Sequence, residues 1–291
     1  MDIGRIGIWT FSLDLQPAGR SQEAAAEIEA LGYGAIWIPE ALGREAFANA
    51  GLLLAGTRKI AIATGIANIW VRDPMAMAGA QKTLTEAYPD RFLLGIGVSH
   101  APLVGMRGHD YTKPLSAMRR YLDAMASAPF MAMPPSTEPA TVIGALAPKM
   151  LELAAERTKG AHPYFVPPEH TAFARERMGK GPLLAPEQAV ILEKGAGKAR
   201  AIARGHMATY LGLPNYANNL KRLGFTDTDI GDGGSDRLVD AIVAWGSIDD
   251  IARRIRAHHD AGADHVCIQV LDPDPRVVPM QQWRELAAAL L

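Results

Sequence analysis

The stretch Lys59–Pro102, KIAIATGIANIWVRDPMAMAGAQKTLTEAYPDRFLLGIGVSHAP, reads as strand, irregular loop, helix, strand and Gly-rich loop. Its first apolar run, Ile60–Ala63, stops at Thr64-Gly65, and the residues from Ile66 to Arg72 are too polar and irregular to extend it. Pro74 suits the first turn of a helix, where a missing N–H costs little. That helix runs through Met75, Gln81 and Leu84, ends near Tyr88-Pro89, and leads into a second apolar strand, Phe92–Ile96. Strand, helix and strand in this order make a βαβ unit.

The same grammar extends in both directions. Arg5–Trp9 is a short apolar strand, followed by a helix over Ser21–Leu31 with Ala24, Ile28 and Leu31 on one face. Ser21 suits the N-cap of that helix and Gly32 its end, and the strand Ala35–Ile38 comes next. Near the C-terminus, Ser247 and Asp250 stand as a short-armed capping box, Ile251 and Ile255 begin an apolar stripe, and Gly262 closes the helix before strand His265–Val270. Further strands are expected at Thr141–Ile143, Gly160–Val166 and Leu183–Leu192, which makes eight. Strands alternating with helices imply a parallel sheet covered by helices.

An open doubly wound sheet and a closed (β/α)8 TIM barrel both satisfy that alternation, and eight strands within 291 residues favour the barrel. No Gly-x-Gly-x-x-Gly opens a helix, since Gly95-Ile96-Gly97 is followed by His100 where the third glycine would stand. We therefore expect one barrel domain over residues 1–291, with residues 195–240 forming a helical insertion or lid.

Composition fits that picture. Hydrophobic residues make up 48% of the chain, charged ones 21%, and the formal net charge of −1 gives no bias toward nucleic acid or membrane. The single cysteine, Cys267, falls in an expected buried strand and fits a reducing cytoplasm. The first residues enter a strand almost at once, without the basic region and long apolar run of a signal peptide. The absence of His-Glu-x-x-His or a cysteine cluster argues against a metal enzyme, and the absence of Gly-x-Ser-x-Gly against a hydrolase.

In such barrels the loops at the carboxyl ends of the strands form the active site. The first four ends offer Thr10-Phe11, Pro39-Glu40, Gly65-Ile66-Ala67-Asn68 and Val98-Ser99-His100. The later ones offer Gly144-Ala145-Leu146-Ala147, His162 with Tyr164, Glu187-Gln188 and Gln269. His100 and His162 are candidate catalytic proton carriers, because imidazole titrates near neutral pH, whereas His258 and His259 are expected on a surface helix. Glu40, Asn68 and Gln188 could hydrogen-bond a cofactor ring or substrate, and Trp9, Trp70 and Tyr164 could wall the pocket. Arg72 could meet a carboxylate or an anionic tail, or pair with Asp73 at the surface.

The residues Thr64-Gly-Ile-Ala-Asn-Ile-Trp-Val-Arg-Asp-Pro74 and Pro89-Asp-Arg-Phe-Leu-Leu-Gly-Ile-Gly97 resemble the luciferase-like family of flavin and deazaflavin oxidoreductases, in its coenzyme F420-dependent branch. Gly160-Ala-His-Pro-Tyr-Phe165, Leu184-Ala-Pro-Glu-Gln-Ala189 and Leu213-Pro-Asn-Tyr216 extend the resemblance over nearly the whole chain. It implies a bacterial-luciferase-like barrel with a bulge after the third strand, where a non-prolyl cis peptide, here Gly65-Ile66, braces the deazaflavin ring. It also makes Gly97-Val98-Ser99-His100 and Gly144-Ala145-Leu146-Ala147 candidate phosphate loops, since backbone donors suit a phosphate. The bland alternative is that Gly95 and Gly97 merely let a strand bend.

The resemblance implies an F420-dependent oxidoreductase that transfers a hydride to or from a small organic substrate, cytoplasmic and homodimeric. The alternatives are an FMN-dependent luciferase-like monooxygenase and a coenzyme-binding member without turnover. Relatives that act on sugar phosphates carry a His and a Trp where this chain has Pro39-Glu40-Ala41-Leu42, so a sugar phosphate is a poor substrate guess. His100 stands where those relatives have an acid.

Overall fold

The computed structural model describes residues 1–291. Eleven short strands, all in parallel ladders, curl into one sheet inside a coat of helices: β1 (Ile6–Trp9), β2 (Ala35–Ile38), β3 (Ala61–Thr64), β4 (Ala67–Asn68), β5 (Phe92–Gly97), β6 (Ala140–Ile143), β7 (Gly160–Ala161), β8 (Leu183–Leu184), β9 (Glu187–Ile191), β10 (Ala244–Trp245) and β11 (Val266–Val270). Eight of the chain's passes build the barrel. Its ring closes between the last pass and the first, through Ile6 opposite Val266 and Ile8 opposite Ile268. The seventh pass is Leu183–Ile191, interrupted at Ala185-Pro186. Its first half pairs with β7 and its second with β11.

The ladders correct several expected boundaries. The sixth pass leaves the ladder after Ala161 rather than running to Val166, because Pro163 lacks a donor and Phe165 takes a left-handed conformation (φ 60°). Beside the upper half of the seventh pass, the space is taken by β10, which pairs through Ala244 opposite Val190 and was not expected. The loop after β3 is less irregular than its composition suggests, since Ala67 and Asn68 rejoin the sheet beside Ile96 and Gly97. The first long helix begins at Ala18, one turn before Ser21, whose buried hydroxyl donates to the Leu13 carbonyl at 2.7 Å instead of capping.

Other local signals hold. Pro74 opens the helix Pro74–Ala87 behind an Asp73 cap, and Ser247 and Asp250 form a complete capping box on Ile248–Asp260. Gly32 (φ 96°) and Gly262 (φ 102°) follow helices in conformations that favour glycine. Residues 195–240 hold four helices, Ala196–Leu211, Pro214–Arg222, Asp227–Ile230 and Asp236–Ile242, the last running two residues further.

Alternation along the strands separates two cores. Ile8, Ile36, Ile62, Leu94 and Ile268 face outward beneath the helices, whereas Trp9, Trp37, Ala63, Leu93, Val142 and Cys267 fill the barrel. A third cluster, with Phe165, Met207, Tyr216, Leu220 and Val239, seats the 195–240 helices over the later strands. No helix is long and apolar enough to cross a membrane.

Candidate active site

The carboxyl ends of β1 to β6 converge on the bulge between β3 and β4. There the Gly65–Ile66 peptide bond is cis. The Gly65 carbonyl accepts a hydrogen bond from the Trp9 indole at 3.1 Å, and the Ile66 N–H has no partner within the chain. Gly97 and Gly144 make room for the Ile66 side chain: a Cβ on Gly97 would stand 2.6 Å from Ile66 Cγ1, and one on Gly144 3.2 Å from Cγ2. Beyond the two sequence readings of Gly97, phosphate loop and strand bending, the geometry gives it a further role in making room for Ile66.

Glu40 and Arg72 hold the far side of the bulge. The Glu40 carboxylate accepts from Asn68 N at 2.7 Å, Ala46 N at 3.2 Å and Arg72 Nη1 at 3.0 Å, with a second contact to Arg72 Nη2. Arg72 also meets Glu45 and lies 5.0 Å from the Phe47 ring centroid. Glu40 is therefore occupied inside the protein. The expectation that it contacts a ring directly is corrected to one of positioning Asn68. Arg72 pairs with Glu40 and Glu45, while Asp73 serves as the helix cap. Asn68 is buried, and its Oδ1 accepts from Trp70 N at 2.9 Å, which turns the chain toward Trp70. The Trp70 indole donates to the Val98 carbonyl at 3.0 Å and so ties the bulge to the loop after β5.

Two stretches of free amides flank the bulge. The N–H groups of Val98, Ser99 and His100, and those of Ala145, Leu146 and Ala147, donate to nothing within the chain. Ser99 adopts a left-handed conformation (φ 58°), and the second loop leads directly into the helix Pro148–Arg157. Backbone donors beside a ten-residue helix N-terminus make an environment for a phosphate. The anionic phosphate of a coenzyme fits these free amides.

The two candidate histidines have different settings. His100 lies at the rim, where Nδ1 meets Asn215 Oδ1 at 3.2 Å and the ring stands 5.3 Å from Tyr216. Burial lowers its pKa, so the ring is neutral at neutral pH. His162 is in the barrel interior, 1% exposed, stacked on Trp37 at 4.3 Å, with Nδ1 donating to the Ala185 carbonyl at 2.7 Å. Desolvation pushes its pKa down to about 4. Nε2 has no partner and lies 3.0 Å from where a Gly65 Cβ would be. The structure thus makes His162 a neutral support beneath Gly65 rather than an exposed proton carrier.

Gln188 is also corrected. β9 turns it outward, where Nε2 donates to the Ile242 carbonyl at 2.9 Å and Oε1 accepts from His258. His258 is itself fully buried rather than on the surface, because its helix packs that face against the barrel.

Glu187, one residue earlier, points inward. It is 1% exposed; Oε2 accepts from Phe165 N at 3.1 Å and Oε1 is unpartnered. Burial raises its pKa to about 8, so the group is mostly a neutral acid at pH 7. Around it stand Tyr164, Tyr210 and Tyr216. Tyr210 was not found from the sequence, since nothing in its helix says how that helix sits on the barrel.

A family model for the luciferase-like monooxygenases matches residues 6–265. A Mycobacterium tuberculosis protein named as a coenzyme F420-dependent oxidoreductase is 25% identical, the match covering 89% of this chain and 91% of the relative. An F420-dependent secondary alcohol dehydrogenase, solved with an F420-acetone adduct, shares the fold with a TM-score of 0.73 at 16% identity, covering 100% of both chains. The FMN-bound oxygenating constituent of 3,6-diketocamphane monooxygenase from Pseudomonas putida superposes with a TM-score of 0.69 at 17% identity, covering 100% of this chain and 99% of that one.

Proposed function

The chain belongs to the luciferase-like monooxygenase family, and we propose that it is a coenzyme F420-dependent oxidoreductase moving a hydride between the deazaflavin and a small organic substrate. The observation that carries this reading is the free Ile66 N–H on the bulge between β3 and β4, set between two loops of unpaired amides. The similarity to a relative named as F420-dependent supports it.

In this reading Gly65, Ile66 and Asn68 form the platform for the ring, and the amides of Val98, Ser99, Ala145, Leu146 and Ala147 receive the phosphate. A bound deazaflavin supplies the hydride chemistry, and the protein supplies orientation and protons. Trp9 fixes the Gly65 carbonyl and Glu40 fixes the Asn68 amide, so the platform is set before any ligand arrives. His100 sits at the rim, positioned to exchange a proton with solvent. The helices of residues 195–240 cover the later strands and shield the site from water. We expect a cytoplasmic homodimer, with its mass read by sedimentation.

An FMN-dependent monooxygenase is the second reading, because a flavin ring and a phosphate would ask for the same platform and the same amides. Fluorescence titration of the purified protein with F420, FMN and FAD separates the two. Selective F420 binding, weakened by Gly65→Val, is the expected result. Selective FMN binding would replace the first reading with the second, and tight F420 binding without turnover over a broad substrate panel would leave a coenzyme carrier.

A further inference from the structure

Three tyrosines meet where the barrel interior passes under the 195–240 helices. The Tyr164 and Tyr210 hydroxyls are 2.9 Å apart, and Tyr164 also donates to Gln269 Oε1 at 2.9 Å. Tyr164 contacts both the inner barrel cluster and the cluster beneath the helical segment. Its ring lies 5.0 Å from Trp9, the residue whose indole holds the Gly65 carbonyl. One ring therefore separates the Tyr164 phenol from the bulge. Tyr216 stands 6.4 Å from Tyr164 and 5.3 Å from Tyr210, and closes the cluster on its other side.

The walls here are aromatic and carry hydroxyls without a net charge. Arg72, beside the bulge, is matched by Glu40 and Glu45, and the buried Glu187 carboxyl is mostly protonated at neutral pH. Burial, with Tyr210 and Glu187 nearby, also raises the Tyr164 pKa well above that of an ordinary phenol, so Tyr164 rests as a donor. A charged substrate would lose its hydration without gaining a partner, whereas a neutral flat molecule with one acceptor oxygen loses little.

Resting on the reading of this barrel mouth as a deazaflavin site, we propose that Tyr164 is a catalytic residue that binds and protonates the oxygen of a neutral carbonyl substrate whose flat body lies against Trp9 and Tyr216. The carbonyl carbon gains a hydride from the reduced 5-deazaflavin, forming its new C–H bond. The C=O π pair moves onto oxygen, and that oxygen takes the Tyr164 proton. The carbonyl is reduced to an alcohol and the deazaflavin is oxidised by the same two electrons. Tyr210 returns a proton to the Tyr164 oxygen across 2.9 Å, and solvent restores Tyr210. Half a turn of the Gln269 amide makes it a donor to Tyr164 and frees the phenolic hydrogen for the substrate.

Acetophenone and benzoate, one neutral and one charged but of similar size, are the probes, added to the F420-saturated protein. Acetophenone should quench tryptophan fluorescence saturably, bind at least tenfold tighter than benzoate, and show its infrared carbonyl stretch moved to lower frequency. Tyr164→Phe should reverse that frequency change and weaken acetophenone about tenfold, the equivalent of one lost hydrogen bond, with the F420 dissociation constant unchanged. Tyr210→Phe should keep the frequency change, because the hydroxyl that touches the probe remains. An unaltered stretch in Tyr164→Phe, equal affinity for benzoate, or no saturable acetophenone binding would each overturn the assignment while F420 binding stands. A wild-type protein that does not bind F420 would overturn the coenzyme reading and this proposal with it.

Discussion

Lowering the pH from 7.5 to 5 should bring this protein close to unfolding, because four histidines are fully buried without charge. His162, His170, His258 and His265 are at most 1% exposed. Desolvation drives His162, His170 and His265 down to about 4 and His258 to about 3, against an ordinary value of 6.5. A folded-state pKa below the unfolded one means that the unfolded chain binds the extra protons. The stability is whole above pH 6.5 and falls as the pH drops toward 4. At pH 5 each histidine has forfeited about 2 kcal/mol, or about 8 kcal/mol for the four. Glu187 acts in the opposite direction. Its pKa is raised from 4.5 to about 8, so acid favours the folded state, by about 3 kcal/mol over the same interval. The net loss of about 5 kcal/mol equals the whole stability of a modest domain. Urea unfolding followed by circular dichroism at pH 7.5, 6.5, 5.5 and 5 measures it. The slope near pH 5.5 should correspond to an uptake of two to three protons on unfolding. A free energy of unfolding at pH 5 within about 1 kcal/mol of that at pH 7.5 would refute the claim that these rings are held neutral.

Gly65→Ala should cost about 1–3 kcal/mol in thermal unfolding and weaken coenzyme binding, since its Cβ would stand 2.6 Å from Trp9 Nε1 and 3.0 Å from His162 Nε2, both on buried rings. Gly105→Ala, with nothing within 4 Å of its Cβ, is the control and should be neutral or slightly stabilising. Glu187→Gln keeps an acceptor for Phe165 N and removes the need to hold a carboxyl protonated. It should raise stability at pH 8 by about 4 kcal/mol and make no gain at pH 4, as read from denaturant midpoints. Glu40→Ala leaves the mostly buried Arg72 with Glu45 alone and frees Asn68 N; a loss of about 3 kcal/mol is expected, with weaker coenzyme binding, and unchanged binding would show that Glu40 does not position the bulge.

The barrel is legible in the sequence because its signals are local. Strand, cap, helix and closing glycine recur within short windows, and the eight strand regions were each marked by an apolar run. What the sequence hides is where pairing stops. The seventh pass is one apolar stretch from Leu183 to Leu192, yet Ala185-Pro186 divides its partners, the lower half meeting β7 and the upper half β10 and β11. Only the closure of the ring decides that division. Ala244–Trp245 was overlooked for the same reason, since two residues carry no periodicity and their strand exists only because the short sixth pass leaves an edge for it.

The site was legible where its chemistry lies in the backbone and less so where it lies in side chains. Gly65, Gly97 and Gly144 could be chosen from their places at strand ends, and in the fold Trp9, His162 and Ile66 approach them closely. Glu40, His162 and Gln188 occupy strand ends too, but a strand end fixes height along the barrel and leaves direction open. In β9 a shift of one residue separates Glu187, inside the barrel with an unpartnered oxygen, from Gln188, outside it and bonded to His258. An inward acid beside an outward amide looks the same in sequence as the reverse. The inward position is the costly one for a carboxylate, because Phe165 N is its only hydrogen-bond donor in the chain, and that cost is what makes Glu187 a better marker of the chemical interior than the histidines first singled out.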